Sequence, residues 1–195
     1  MKILISILIL AAIATTACGS SMKPSDIKRN PHPKMRYELT LTIHDAPGPF
    51  DSIEGTMQYE VADKRCSPEN PISGTWNPPH VNVPFAFNRV ADNVYTGTVY
   101  LDILEDEDYY GLGVCHWQMT FAIVGMKAKG AEFSPDVSSA KIVTNQPETT
   151  YFAKEIYKRP TVEGLSTGGV PLSDWIAKQP SKFFSTTLIA KERLE

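Results

Sequence analysis

The sequence lacks most of the residue spacings that catalytic and cofactor sites require. It has no CxxC or HxxxH spacing, and its four histidines stand apart at positions 32, 44, 80 and 116, which argues against a zinc site. The Gly-Gly pair at 168 and 169 is not followed by the Lys-Ser/Thr pair of a phosphate-binding loop. The Gly-x-Ser-x-Gly spacing of residues 164–168 falls in a linker, whereas a nucleophilic serine of that type lies between a strand and a helix. We therefore predict no catalytic residue, no cofactor and no metal, and expect a protein that is not an enzyme.

Long apolar segments and an excess of basic charge are also absent. The longest apolar run, residues 3–14, is shorter than the roughly 20 residues of a membrane-spanning helix. Nineteen Lys and Arg against 22 Asp and Glu leave a formal charge of −3, so nucleic acid is not an expected partner. About 160 residues follow position 34, which is enough for one domain with a proper core.

The first 18 residues have the pattern of an export signal. Lys2 precedes the apolar run, which gives the charged and hydrophobic regions of a secretory signal. The peptide Thr15-Thr16-Ala17-Cys18 resembles a lipobox, although lipoboxes prefer Leu where this chain has Thr15. The resemblance implies a signal peptide at 1–17 and a lipid-anchored Cys18 on the periplasmic face of the cell envelope. Gly19 after that cysteine resembles sorting to the outer rather than the inner membrane.

A different cleavage remains open. Ala12-Ile13-Ala14 is an A-x-A site for ordinary signal peptidase, and cleavage there would release a soluble protein. The polar run that follows Cys18, with its Pro and Lys residues, favours the anchored form. We interpret residues 18–34 as a flexible tether.

The remaining two cysteines form an even pair. In an oxidising compartment a disulfide is the default state of Cys66 and Cys115. Closing a loop of about 49 residues contributes roughly 4 kcal/mol in the chain-entropy model. A metal site is the competing interpretation, and the spacing does not favour it.

Alternating polar and apolar residues predict a mainly β domain over 35–160, an antiparallel β-sandwich with a long Pro-rich loop at 67–84. The alternation is clearest at 37–44. It is strongest at 113–124, where it places Cys115, Trp117, Met119, Phe121 and Ile123 on the core face. Further strands are expected at 57–61, 95–103, 140–144 and 150–157.

The chain past residue 160 changes character and is predicted to be a C-terminal extension, 161–195. Its glycines and Pro171 suggest a flexible link, after which Ser173 offers an N-cap to a short helical turn that Pro180 ends. The tail from Lys182 is expected to add an edge strand or to pack as a satellite.

The acidic turn of residues 102–108 is the densest charge cluster of the chain. It has three possible roles: a solvated turn, a calcium site, or a negative patch that attracts a basic protein partner. The EF-hand spacing is absent. His116 is expected to face solvent or to be a satisfied structural histidine. The candidate partner-binding residues are Glu105, Asp106, Glu107, Asp108, Tyr109 and Tyr110.

The combination of a lipoprotein signal, a small acidic β-rich body, one disulfide and no catalytic constellation resembles a known family. These are the periplasmic lipoprotein immunity proteins that protect bacteria from type VI secretion effectors, particularly phospholipases. The resemblance covers the layout of the whole chain, and only Cys18 rests on a motif. It implies a toxin as protein partner and steric occlusion of the toxin's active site as mechanism. The alternative is a structural or accessory envelope lipoprotein that binds another envelope component.

Overall fold

The computed structural model describes residues 26–158 and 164–193, and it is mainly β, as the alternation predicts. Its short helices are α1 (Ser139–Val143), α2 (Lys154–Lys158) and α3 (Asp174–Ala177), with 3-10 turns at Lys64–Cys66 and Pro180–Lys182. The strands are β1 (Arg36–His44), β2 (Ser52–Val61), β3 (His80–Ala91), β4 (Val94–Tyr100), β5 (Trp117–Ala128), β6 (Ala131–Phe133), β7 (Asp136–Ser138), β8 (Glu148–Ala153), β9 (Leu165–Thr167) and β10 (Phe183–Glu192).

The strands form one curled sheet in the order β8-β10-β1-β4-β3-β2-β5-β6-β9, with β7 paired to β5 beside β6. Its two ends approach each other, because Phe133 in β6 contacts Phe152 in β8 and Phe184 in β10 at ring separations of 5.5 and 5.2 Å. The sheet is therefore nearly closed into a barrel. The predicted sandwich, with two separate sheets packed face to face, describes it only approximately. The β6–β9 pair is parallel.

Strand β3 makes the corner of this sheet. Its first half, from His80, pairs with β2, and its second half, from Phe87, pairs with β4. Phe85 lies between these halves, against two glycines on the neighbouring strands. A Cβ atom at Gly55 would meet the Phe85 ring at 2.3 Å, and one at Gly97 would meet it at 2.8 Å. The ring fits because both neighbours lack a side chain.

The prediction that residues 67–84 form a loop is wrong for the last five of them, because β3 begins at His80. Pro84 lies within the strand, where a missing N–H normally breaks a ladder. At Pro84 the strand pairs with β2 alone, and its pairing with β4 starts only at Phe87. Proline is tolerated where one edge of a strand is unpaired.

Strand β5 differs from the prediction in its first residue and in which of its side chains face the core. It begins at Trp117 rather than at 113, and its register against β2 shifts between Gln58 and Tyr59, which makes Thr120 an extra residue. A β-bulge of this kind reverses the alternation beyond it. Trp117 and Met119 are buried as predicted, but Phe121 is 40% exposed, and Ala122, Val124 and Met126 occupy the core face instead.

Three segments in the second half of the chain also differ from their predictions. The strand predicted at 150–157 ends at Ala153, and Lys154–Lys158 forms α2. Residues 139–143 form α1 rather than a strand, because the side chain of Ser138 caps the helix by accepting from the Lys141 N–H. The tail contributes β10, which lies between β8 and β1 in the interior of the sheet and is not an edge strand. The predicted turn after Ser173 is confirmed as α3, and the linker before it contains β9.

Candidate functional site

The disulfide between Cys66 and Cys115 is present and braces one end of the sheet. Cys66 follows the end of β2 and Cys115 precedes the start of β5, so the bond joins the two loops that extend beyond these strands. We call this region the braced end. It comprises the Pro-rich loop at 67–79, the acidic loop at 101–116 and the adjoining ends of β2 and β5.

Asp106 organises the acidic loop. One carboxylate oxygen accepts the backbone N–H of Trp117 at 2.9 Å, and the other lies 2.7 Å from Nδ1 of His116. The His116 side chain is 63% exposed, so the expectation of a solvent-facing histidine is confirmed. This loop carboxylate therefore receives the first N–H of β5.

The other acidic side chains of the turn have separate contacts. Glu107 forms an ion pair with Lys28, which raises the pKa of that lysine mainly through their hydrogen bond. Asp108 accepts the backbone N–H of Leu112 at 3.0 Å. Glu105 is exposed and contributes its backbone N–H to the carbonyl of Lys28. Each of these three acidic residues is therefore tied to a neighbouring part of the chain.

Tyr109 and Tyr110, the aromatic candidates, turn toward the protein interior. Both pack against the core, and burial raises the pKa of each. The Tyr109 ring lies edge-on to Trp117 at 6.3 Å, and its hydroxyl donates to the Glu105 carbonyl at 2.7 Å. The two tyrosine rings therefore pack beneath the acidic loop and stabilise it, and they do not form its outer surface.

The described part of the predicted tether is fixed to this loop. Asp102 accepts the backbone N–H of Lys34 at 2.8 Å and that of Met35 at 3.1 Å. Asn30 donates its backbone N–H to the Ile103 carbonyl at 2.9 Å. Residues 26–34 are therefore part of the folded body rather than a free linker. Cys18 and the residues up to 25 lie outside the described part of the chain.

A groove of about 780 Å³ opens at the braced end, between the acidic loop and α1. Leu104, Trp117 and Met119 are buried residues along it, whereas Val143 is 50% exposed. Asp102, Glu105 and Asp106 contribute its acidic side. The full lining is Asn30, Met35, Leu101, Asp102, Leu104, Glu105, Asp106, Trp117, Gln118, Met119, Ser139, Ala140, Val143 and Thr144.

One polar group in this lining is unsatisfied. Trp117 is 8% exposed, and among the described residues its indole N–H has no hydrogen-bond partner. A buried donor without an acceptor costs roughly 1–3 kcal/mol. The indole of Trp76, by contrast, donates to Ser67 at 2.7 Å.

Exposed apolar side chains lie on both braced loops. Ile72 in the Pro-rich loop is 95% exposed, and Leu112 and Val114 in the acidic loop are 55% and 50% exposed. Protein–protein interfaces bury apolar side chains of this kind at their centre.

Sequence reasoning identified the acidic turn but missed the groove. Asp102 and Glu105 were within the predicted charge cluster, whereas Val143 lay in a segment predicted to be a strand. The groove wall depends on α1, and Ser138 was its only capping signal, because Lys141 stands where a capping box has Glu or Gln.

Three further observations concern metal-ligand grouping, the surroundings of Ser166 and membrane-spanning helices. Within residues 26–158 and 164–193, no three His, Cys, Asp or Glu residues are grouped as metal ligands. Ser166 lies in β9, which continues into the bridge at Val170 rather than into a helix. No helix of the described residues is long and apolar enough to span a membrane.

Comparison with models of known protein families, with curated proteins and with solved structures gives no match to this chain.

Proposed function

We propose that this protein is a lipid-anchored periplasmic immunity protein, which binds a secreted antibacterial toxin through its braced end. The observation that carries the proposal is the set of exposed apolar side chains on the two disulfide-joined loops, Ile72, Leu112 and Val114. A disulfide that limits loop motion reduces the entropy lost on binding. Steric occlusion of the toxin requires no catalytic group in this chain.

The short stretch between Cys18 and Asp26 supports an action at the membrane. Seven residues separate Cys18 from Asp26, and a fully extended chain spans about 3.5 Å per residue, so the anchor lies within about 30 Å of Asp26. Lys28 is paired with Glu107 on the acidic loop. A Cys18 anchor therefore keeps the braced end close to the bilayer, where a phospholipase toxin acts.

The test is a titration of the toxin encoded beside this gene with the purified chain from residue 19. We expect a 1:1 complex in size-exclusion chromatography with light scattering, and loss of the toxin's lipase activity at one equivalent. Ile72→Asp and Leu112→Asp should weaken the complex. Val90→Asp is the matched control, because Val90 is 59% exposed at the β3–β4 turn and belongs to neither braced loop.

Full lipase activity in the presence of excess chain, with no complex on the column, would refute the proposed function. Equal weakening by Val90→Asp would show that the loops are not the binding surface.

A further inference from the structure

We infer that the groove beside β5 binds an extended segment of the partner that combines apolar and basic side chains. This inference rests on the proposed function and assigns the part of the partner that is recognised. Two independent features of the groove support it: a strand edge without a neighbouring strand, and an acidic rim over an apolar floor.

The unpaired edge belongs to the first four residues of β5. Strand β5 pairs with β2 along its whole length, from Trp117 to Lys127. On its other side it pairs with β7 only from Phe121 and with β6 only from Met126. Among the described residues, 117–120 therefore have no strand on the side away from β2. Extended segments bind such edges by strand addition.

Asp106 marks the direction in which this edge faces. Its carboxylate accepts the Trp117 backbone N–H, as a neighbouring strand would, and Asp106 itself lines the groove. Because Asp106 already accepts the Trp117 N–H, residues 118–120 remain for pairing. They span about 10 Å at roughly 3.3 Å each, which accommodates one short extended segment.

The Trp117 side chain lies where a bound segment would alter its surroundings. It lines the groove, but its indole nitrogen is enclosed by the protein and lacks an acceptor among the described residues. A segment in the groove therefore contacts the indole ring rather than its N–H group.

The acidic and apolar residues that line the groove indicate which side chains the bound segment carries. Leu104 and Met119 offer an apolar floor, and Val143 an apolar wall. Glu105 and Asp106 on the opposite side favour Lys or Arg on the ligand by electrostatic complementarity. The segment therefore has apolar side chains directed to the floor and basic side chains directed to the acidic loop.

The first test follows the three indole N–H signals by NMR in the chain from residue 19, while the toxin encoded beside the gene is added. We expect the Trp117 signal to shift, because Trp117 lines the groove. The signal of Trp175 is the internal reference, because Trp175 belongs neither to the groove nor to the two braced loops. Nine-residue peptides that tile the toxin sequence then locate the segment, which should contain Lys or Arg among apolar residues.

The second test compares affinities of groove variants by calorimetry. Val143→Arg should raise Kd for the toxin about ten-fold or more, because it places a charge and bulk inside the groove. Glu105→Lys should raise it about two- to five-fold, as expected for an exposed ion pair. Matched controls are Val90→Arg and Glu54→Lys, both at exposed positions outside the groove.

The outcomes separate the two proposals. Tight toxin binding with an unmoved Trp117 signal and unchanged Kd in Val143→Arg would overturn the groove assignment and leave the proposed function standing. No toxin binding would overturn the proposed function and the groove assignment with it. A Trp117 signal that moves with dodecylphosphocholine but not with the toxin would identify a lipid occupant and also overturn the inference.

Discussion

The contact of Phe85 with Gly55 provides a sharp test of the corner in β3. An added methyl at Gly55 would lie 2.3 to 2.5 Å from three atoms of the Phe85 ring, far inside the usual carbon–carbon separation of about 3.5–4.0 Å. The ring has little room to withdraw, because a Cβ atom at Gly97 on the neighbouring strand would also meet it at 2.8 Å. The ring of Phe87 lies 5.1 Å away.

The magnitude follows from two opposing effects. Overpacking of this kind costs about 1–3 kcal/mol, and replacing glycine by alanine returns about 0.4–1 kcal/mol by restricting the unfolded chain. We therefore expect Gly55→Ala to lower the free energy of unfolding by about 1–2 kcal/mol. Urea unfolding followed by tryptophan fluorescence measures this change as a lower midpoint at constant slope.

A matched control is available in β5. A Cβ atom at Gly125 would come within 3.4 Å of only one atom, a carboxylate oxygen of Glu132 at 3.0 Å. That flexible side chain can move, so Gly125→Ala should change stability by less than about 0.5 kcal/mol. Combining Gly55→Ala with Phe85→Leu should recover about 1 kcal/mol of the predicted loss in a double-mutant cycle. A Gly55→Ala protein as stable as the wild type, or a coupling of zero, would refute the packing argument.

Three further changes test the braced end and α1. Replacing Cys66 and Cys115 together by alanine should lower the free energy of unfolding by about 4 kcal/mol, and unfolding with and without a reductant should show the same loss in the wild type only. Asp63 has its pKa lowered to about 2, first by the hydrogen bond from the Arg65 side chain. Its contribution is therefore present above the unfolded-state pKa near 4 and is lost as the pH falls toward 2. Asp63→Asn should flatten the fall in urea midpoint across that window, and parallel curves would contradict this cause. Ser138→Ala should cost about 0.5–1 kcal/mol through loss of the α1 cap, measured by urea unfolding, and an unchanged midpoint would show that the cap contributes nothing.

The strands with regular alternation were the most predictable part of the fold. Leu39 and Leu41 are fully buried in β1 because nothing interrupts the two-residue period there. In β5 the same logic failed past Thr120, since one bulged residue reverses the faces of everything beyond it. The pairing partner that creates a bulge is distant in sequence, so a local pattern cannot reveal it.

The candidate site was only partly predictable for a similar reason. The disulfide was predicted from the cysteine count and from the compartment that the signal-like N-terminus implies, and the charge cluster was visible as a run of acidic residues. The groove, however, is assembled from Asp102, Trp117 and Val143, which come together only because α1 is a helix and β5 has an unpaired edge. Tyr109 and Tyr110 were expected at the surface of a partner site, but their rings complete the core beneath it.

The most direct test of the account is survival of cells that lack this gene when they meet sister cells delivering the neighbouring toxin. We predict that the deletion strain is killed, that the wild-type chain restores survival, and that the Val143→Arg chain restores it less well than Val90→Arg at equal abundance in the envelope. A deletion strain that survives as well as its parent would contradict the account.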